Sequence, residues 1–108
     1  MYARSMLVTL PPDKWDEAVA VLRDEMGPRF EDLQGFCGFT LVGNRDRGQV
    51  FGLSYWRSAD DRDRGSELGR KIRSRMEELA GEKTPAFQLW EVVYHKVSAP
   101  TLTSADVD

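Results

Sequence analysis

The sequence has one cysteine and one histidine in 108 residues, Cys37 and His95. A lone cysteine cannot close an intrachain disulfide, which fits a reducing compartment. One cysteine and one histidine cannot build an ordinary zinc site, which draws most of its ligands from these two residue types. Long apolar runs are also missing, and no stretch approaches the ~18 residues needed to span a bilayer. The N-terminus shows no basic region followed by an apolar run and a small-residue cleavage site. A cytoplasmic protein that does not enter membranes is expected. Positive charge is not in excess: the net charge of -3 and the pI near 5.2 argue against non-specific nucleic-acid binding, which leans on a basic surface. No glycine-rich phosphate loop occurs, since Gly43–Gly48 (Gly-Asn-Arg-Asp-Arg-Gly) matches neither dinucleotide nor P-loop spacing. With metal, haem and phosphate motifs absent, no cofactor is expected.

What remains is an ordinary globular composition, 41% hydrophobic and 31% charged, at a length that fits one domain. That domain is expected over residues 1–97, followed by a small, polar, acidic tail, 98–108, expected to be mobile. The chain is organised around Val50–Ser58. Its β-branched and aromatic residues, bounded by turn-like and charged stretches, predict a strand. Val50, Gly52, Ser54 and Trp56 would share one face, and Phe51, Leu53 and Tyr55 the other. Neither face is polar, so both need cover.

The rest of the chain supplies the cover. Ala3–Leu10 predicts a first strand, with Met6, Val8 and Leu10 on one face, ended by Pro11-Pro12. Asp13 is a candidate N-cap. Trp15, Ala18, Val19, Leu22 and Met26 then recur at helical spacing. Gly27-Pro28 should break or kink this helix, with Phe30 and Leu33 in a short second segment. Phe36–Val42 predicts a second strand, with Phe36, Gly38, Thr40 and Val42 alternating against Cys37, Phe39 and Leu41. Gly43–Gly48 predicts the hairpin loop into the central strand. Asp60–Arg64 reads as a loop or first helical turn. Leu68, Ile72, Met76 and Leu79 predict a second amphipathic helix that stops at Gly81. Thr84–Val97 contains the last strand, with Phe87, Leu89, Glu91, Val93 and His95 on one face and Trp90, Val92 and Tyr94 on the other.

The order β-α-β-β-α-β is the ferredoxin-like arrangement, an α+β fold with two helices on one face of a four-stranded antiparallel sheet. Its other face has no cover from its own chain. A bare sheet face of Phe, Leu and Tyr exceeds the few hundred Å² of contiguous apolar patch usual for monomers. A homodimer through the sheet face resolves this.

On this order, on the paired apolar faces and on Tyr55-Trp56-Arg57-Ser58 at the end of the third strand, the chain resembles the dimeric α+β barrel superfamily. Within it, the chain is similar to the antibiotic biosynthesis monooxygenase-like domains, over about residues 3–97. The resemblance implies a cavity between sheet and helices that takes an aromatic or polycyclic small molecule. It further implies oxygenation without metal or flavin. Trp56 would stand in the cavity wall as a flat apolar platform with one N–H donor; the alternative is that it fills the core. Ser54, Thr40, Phe36 and Arg73 complete the substrate-contacting set. The catalytic candidates are His95, whose ordinary pKa suits proton transfer near neutrality, and Tyr94, as a donor to an enolate. Each also has a plainer reading, His95 as a polar residue near a strand end and Tyr94 as an interface residue. Arg73 and Arg4 could stabilise an anion or could be solvated surface cations. Haem-degrading relatives add an asparagine on the first strand and a histidine on the second helix, and neither stands here. The stretch Arg47–Tyr55 superficially resembles an RNA-recognition motif, but Gln49 stands where an aromatic residue is needed. A second function class, a ligand-binding or structural dimer without turnover, stays open, because fold does not fix function.

The two apolar faces of the central strands generate one measurement. Light scattering at micromolar concentration should return twice the chain mass, and a monodisperse monomer would rule out the dimer.

Overall fold

The computed structural model describes residues 1–98. The expected tail, 98–108, lies outside the described residues except for Ser98. Four strands, β1 (Tyr2–Thr9), β2 (Phe36–Asn44), β3 (Gln49–Trp56) and β4 (Gln88–Glu91), form one sheet in the order β2-β3-β1-β4, with every pairing antiparallel. This is the expected α+β topology. The helical layer lies on one face of the sheet. Its first part comprises α1 (Trp15–Ala20), a π-helical turn (Val21–Met26) and α2 (Gly27–Phe30); its second comprises α3 (Ala59–Arg64) and α4 (Ser66–Ala80). No described helix is long and apolar enough to cross a membrane.

The core forms where the helices meet the sheet. Met6 and Val8 of β1, Val50 and Trp56 of β3, Leu22, Met26 and Phe30 of the first helical run, and Ile72 and Met76 of α4 are all buried there. The alternation read for β3 is observed: Val50, Gly52, Ser54 and Trp56 are buried, and Phe51, Leu53 and Tyr55 are half-buried on the open face. With Leu7, Thr40, Val42 and Trp90, these residues form a largely apolar sheet surface on which no described helix packs.

Several local expectations are corrected. Asp13 is not a helix cap; it lies in a 3₁₀ turn, Pro12–Lys14, and α1 begins without a side-chain cap. Gly27-Pro28 does not break the helical run. The Gly27 N–H bonds back five residues to the Leu22 carbonyl. This wider turn accommodates Pro28, which has no N–H and whose ring would collide with a carbonyl in a regular α-turn. Asp60–Arg64 is a helix, and its N-cap is Ser58, whose Oγ accepts from the Asp61 N–H at 3.1 Å. The last strand is short. The Val92 N–H donates to Met1 O at 2.9 Å, and past that bond no ladder imposes strand alternation on residues 93–97.

The largest correction is at β2. The pairing Phe36↔Trp56 is followed by Gly38↔Tyr55, a bulge at Cys37. The extra residue inverts the alternation. Phe36 therefore shares the helix-facing side with Phe39 and Leu41, while Thr40 points to the open face opposite Leu53.

Gly35, which precedes β2, has φ 78, and a Cβ there would overlap the carboxylate of buried Asp61. Gly35→Ala should lower stability by roughly 1–3 kcal/mol through that overlap and the left-handed backbone. Chemical denaturation at wild-type stability would contradict this packing.

Candidate functional site

Trp56 ends β3 and is 0% exposed. Its ring stands edge-on to Phe30 and Phe36, with centroids 5.8 and 5.6 Å away. A Cβ at Gly65, between α3 and α4, would lie 2.7 Å from the indole. The indole Nε1–H donates to Ser54 Oγ at 2.9 Å, and the Ser54 hydroxyl reaches the Arg4 carbonyl at 3.4 Å. The tryptophan is thus filled around on every side. It does not form the wall of the adjoining space, which Ser54 separates from it.

That space lies between the sheet and the helices, with a cavity volume of about 30 Å³. Met6, Leu22, Phe39 and Ile72 make apolar walls, Ser54 and Arg4 are polar, and Phe87 closes one side. Arg4 is 5% exposed. It follows the alternation Arg4, Met6, Val8 onto the helix-facing side of β1, so strand periodicity carries this cation inward. Its Nη2 donates to the Arg62 carbonyl and to Ser66 Oγ, both at 2.5 Å, joining β1 to the end of α3 and the start of α4. Its Nη1 is buried and has no partner among the described residues. Burial pushes its pKa below the ordinary arginine value; Asp63 opposes that shift, while Arg62 and Arg70 add to it. Of the two readings open for Arg4, an anion-stabilising group or a solvated surface cation, burial removes the second. The signal that identifies it is its position two residues before Met6 in the apolar alternation.

The structure does not bring the other expected site residues together. Phe36 packs on Trp56 in the core. Thr40 lies on the opposite side of the sheet, because of the Cys37 bulge. Arg73 is engaged with the segment after α4: its Nε donates to Thr84 Oγ1 at 3.1 Å and its Nη2 to Thr84 O at 2.8 Å. It also lies 3.8 Å from the Glu77 carboxylate. His95 and Tyr94 lie on the open face, in a groove of about 250 Å³ floored by Ala3, Phe51, Leu53 and Tyr55. The His95 ring is 5.2 Å from that of Tyr55, and Trp90 reaches across to donate to Ser5 Oγ at 2.8 Å. The sheet thus separates the two catalytic candidates from Trp56 and Ser54. Strand alternation would put His95 and Tyr94 on opposite sides, but both line this groove because the ladder ends at Val92. Among the described residues, no group of three or more His, Cys, Asp or Glu is placed to hold a metal ion.

No family model matches the sequence. The uncharacterized proteins Rv2557 and MT2634, from two strains of Mycobacterium tuberculosis, are each 30% identical over 92 residues, 85% of this chain. The chain spans 41% of the length of each of these relatives. Among solved structures, Rv0793 from M. tuberculosis superposes with a TM-score of 0.68 at 21% identity, over 89% of this chain and 98% of the other. A monooxygenase from Streptomyces coelicolor, ActVA-Orf6 in complex with nanaomycin D, gives 0.66 at 11% identity, over 93% and 92%. A mutant of SnoaB, a cofactor-independent oxygenase from Streptomyces nogalater, gives 0.59 at 15%, over 87% and 92%. The chain has the fold of the antibiotic biosynthesis monooxygenase-like proteins of the dimeric α+β barrel superfamily.

The packing around Trp56 sets a stability cost. Trp56→Phe should lose about 1–3 kcal/mol, scaled from the ~3–5 typical of truncating a core tryptophan to alanine. It also strips buried Ser54 of its donor. Denaturation at near-wild-type stability would mean the ring is not packed as described.

Proposed function

We propose that residues 1–97 form a single monooxygenase-like domain that takes a small aromatic or polycyclic molecule between its sheet and helices and works as a homodimer through the open sheet face. The observation that carries this reading is a buried polar pair, Arg4 and Ser54, on the floor of an otherwise apolar cavity. A core built only for stability gains nothing from an incompletely partnered cation there. Binding pockets combine apolar walls with a few placed polar groups in this way.

A cavity of about 30 Å³ admits one polar substituent, not a ring. The ring takes the place of Phe87, which is half-buried and belongs to the irregular segment between α4 and β4. The solved relatives that carry a monooxygenase or cofactor-independent oxygenase name support turnover by direct reaction of an electron-rich substrate with oxygen. Here the protein would contribute desolvation and electrostatic stabilisation of the substrate anion. No histidine, tyrosine or carboxylate lines the cavity, so His95 and Tyr94 are not assigned to this step. In the proposed dimer they lie at the interface. A second reading, binding without turnover, is favoured by the fully packed Trp56 and by this lack of a proton acceptor.

A planar phenolic probe, such as a hydroxyanthrone, separates these readings. Titrated into wild type and Phe87→Ala, it should bind both, and more tightly where the side chain is removed. Oxygen uptake with bound probe identifies the enzyme, and binding without uptake identifies the binder. No binding to either protein would end both readings of the cavity.

A further inference from the structure

We infer that the Nη1 edge of Arg4 is an anion-recognition point, which receives one anionic oxygen of the ligand, a carboxylate or a phenolate, inside the sheet–helix cavity. This rests on the reading that an aromatic molecule enters that cavity.

Three features of the fold converge on that atom. The first is the unused donor. Arg4 carries a fork of N–H groups, and its Nη2 is committed to Arg62 O and Ser66 Oγ, while Nη1 is buried with no partner among the described residues. Buried donors are satisfied in the great majority of cases, so an exception marks a place where something else binds. The second is charge. None of the ion pairs among the described residues includes Arg4, and its two cationic neighbours, Arg62 and Arg70, add to the imbalance that Asp63 opposes. A single negative oxygen corrects that imbalance, and a charge-assisted bond there is stronger than a neutral one. The third is space. Gly69 sits at the start of α4, its fourth residue, inside a helix where alanine is the better helix former. A Cβ there would stand 3.0 Å from Nη1 and 3.4 Å from the Phe87 ring. Glycine at 69 therefore keeps open the volume in front of the free donor.

The geometry also prepares the site. The two bonds from Nη2 hold the guanidinium plane before any ligand arrives, so little side-chain freedom is lost on binding. A volume of about 30 Å³ matches one water-sized polar group, and the apolar side chains around it offer a neutral amide little in return. Selectivity should therefore follow the charge on the oxygen.

The test uses calorimetry with 2-naphthoate and its neutral isostere 2-naphthamide, and absorbance with 2-naphthol at neutral pH. Wild type should bind 2-naphthoate at least about tenfold more tightly than 2-naphthamide, as expected for a charge-assisted bond. Arg4→Gln should abolish the preference. Because that substitution also removes the Nη2 contacts, Gly69→Ala is the second variant; it keeps them, fills the space before Nη1, and should reduce the preference several-fold. A naphtholate spectrum on binding 2-naphthol identifies phenolate as an accepted form, and a naphthol spectrum restricts recognition to carboxylate. Equal affinity for acid and amide in wild type, or a preference undiminished in Gly69→Ala, overturns the role of Arg4 and leaves the cavity reading standing. Failure of all three compounds to bind removes both.

Discussion

The contacts of Trp56 set the geometry of one end of the molecule. The indole ends β3, meets Phe30 of α2 and Phe36 of β2 edge-on, and lies under Gly65, where α3 turns into α4. Four elements are thus spaced by one ring, and interiors packed at crystal-like density transmit any change in its size. Two residues further on, Ser58 caps α3. The Trp-x-Ser step that carries the resemblance to the dimeric α+β barrel proteins therefore has a structural explanation. The tryptophan fills the corner, and the serine starts the helix that covers it.

A hydrogen-bonded chain runs from this corner into the cavity: indole to Ser54 hydroxyl, Ser54 hydroxyl to the Arg4 carbonyl, Arg4 guanidinium to the ends of α3 and α4. Each link satisfies a buried polar group that would otherwise be costly. The chain stops one donor short, at Arg4 Nη1. The place where polar satisfaction is incomplete is also the place where a glycine near the start of α4 leaves room. Neither feature improves the stability of the fold, and such local exceptions are expected where a protein meets a ligand.

The sheet divides the molecule into two regions. Its helix-facing side holds the core and a small cavity. Its open side carries Leu7, Phe51, Leu53, Tyr55 and Trp90 over a broad, shallow groove. The proposed homodimer would cover the open side, because self-association buries an apolar surface without requiring another partner. The superfamily's fold supports many activities by varying what lines its interior. In this chain the interior carries an inward-pointing arginine on the first strand, and no histidine, tyrosine or carboxylate lines the cavity beside it.

The sequence by itself determined the fold class, the order of the strands, the two apolar faces of β3 and the amphipathic spacing of the main helices. These follow from period-2 and helical patterning, which are local properties of the backbone. The inward side of Arg4 was available in the same pattern, but composition argues for arginine on the surface, and that general preference obscured it. The tertiary structure alone decided the rest. The Cys37 bulge, which separates Thr40 from Phe36, depends on pairing with β3, and no local signal specifies one extra residue. The separation of His95 and Tyr94 from Trp56 depends on where the ladder between β1 and β4 ends. Whether Trp56 lines a pocket or fills a corner depends on Phe30, Phe36 and Gly65, distant in sequence and joined only by packing. Periodicity assigns a side chain to a face; its neighbours on that face are decided by long-range contacts, and the candidate site is built from those contacts.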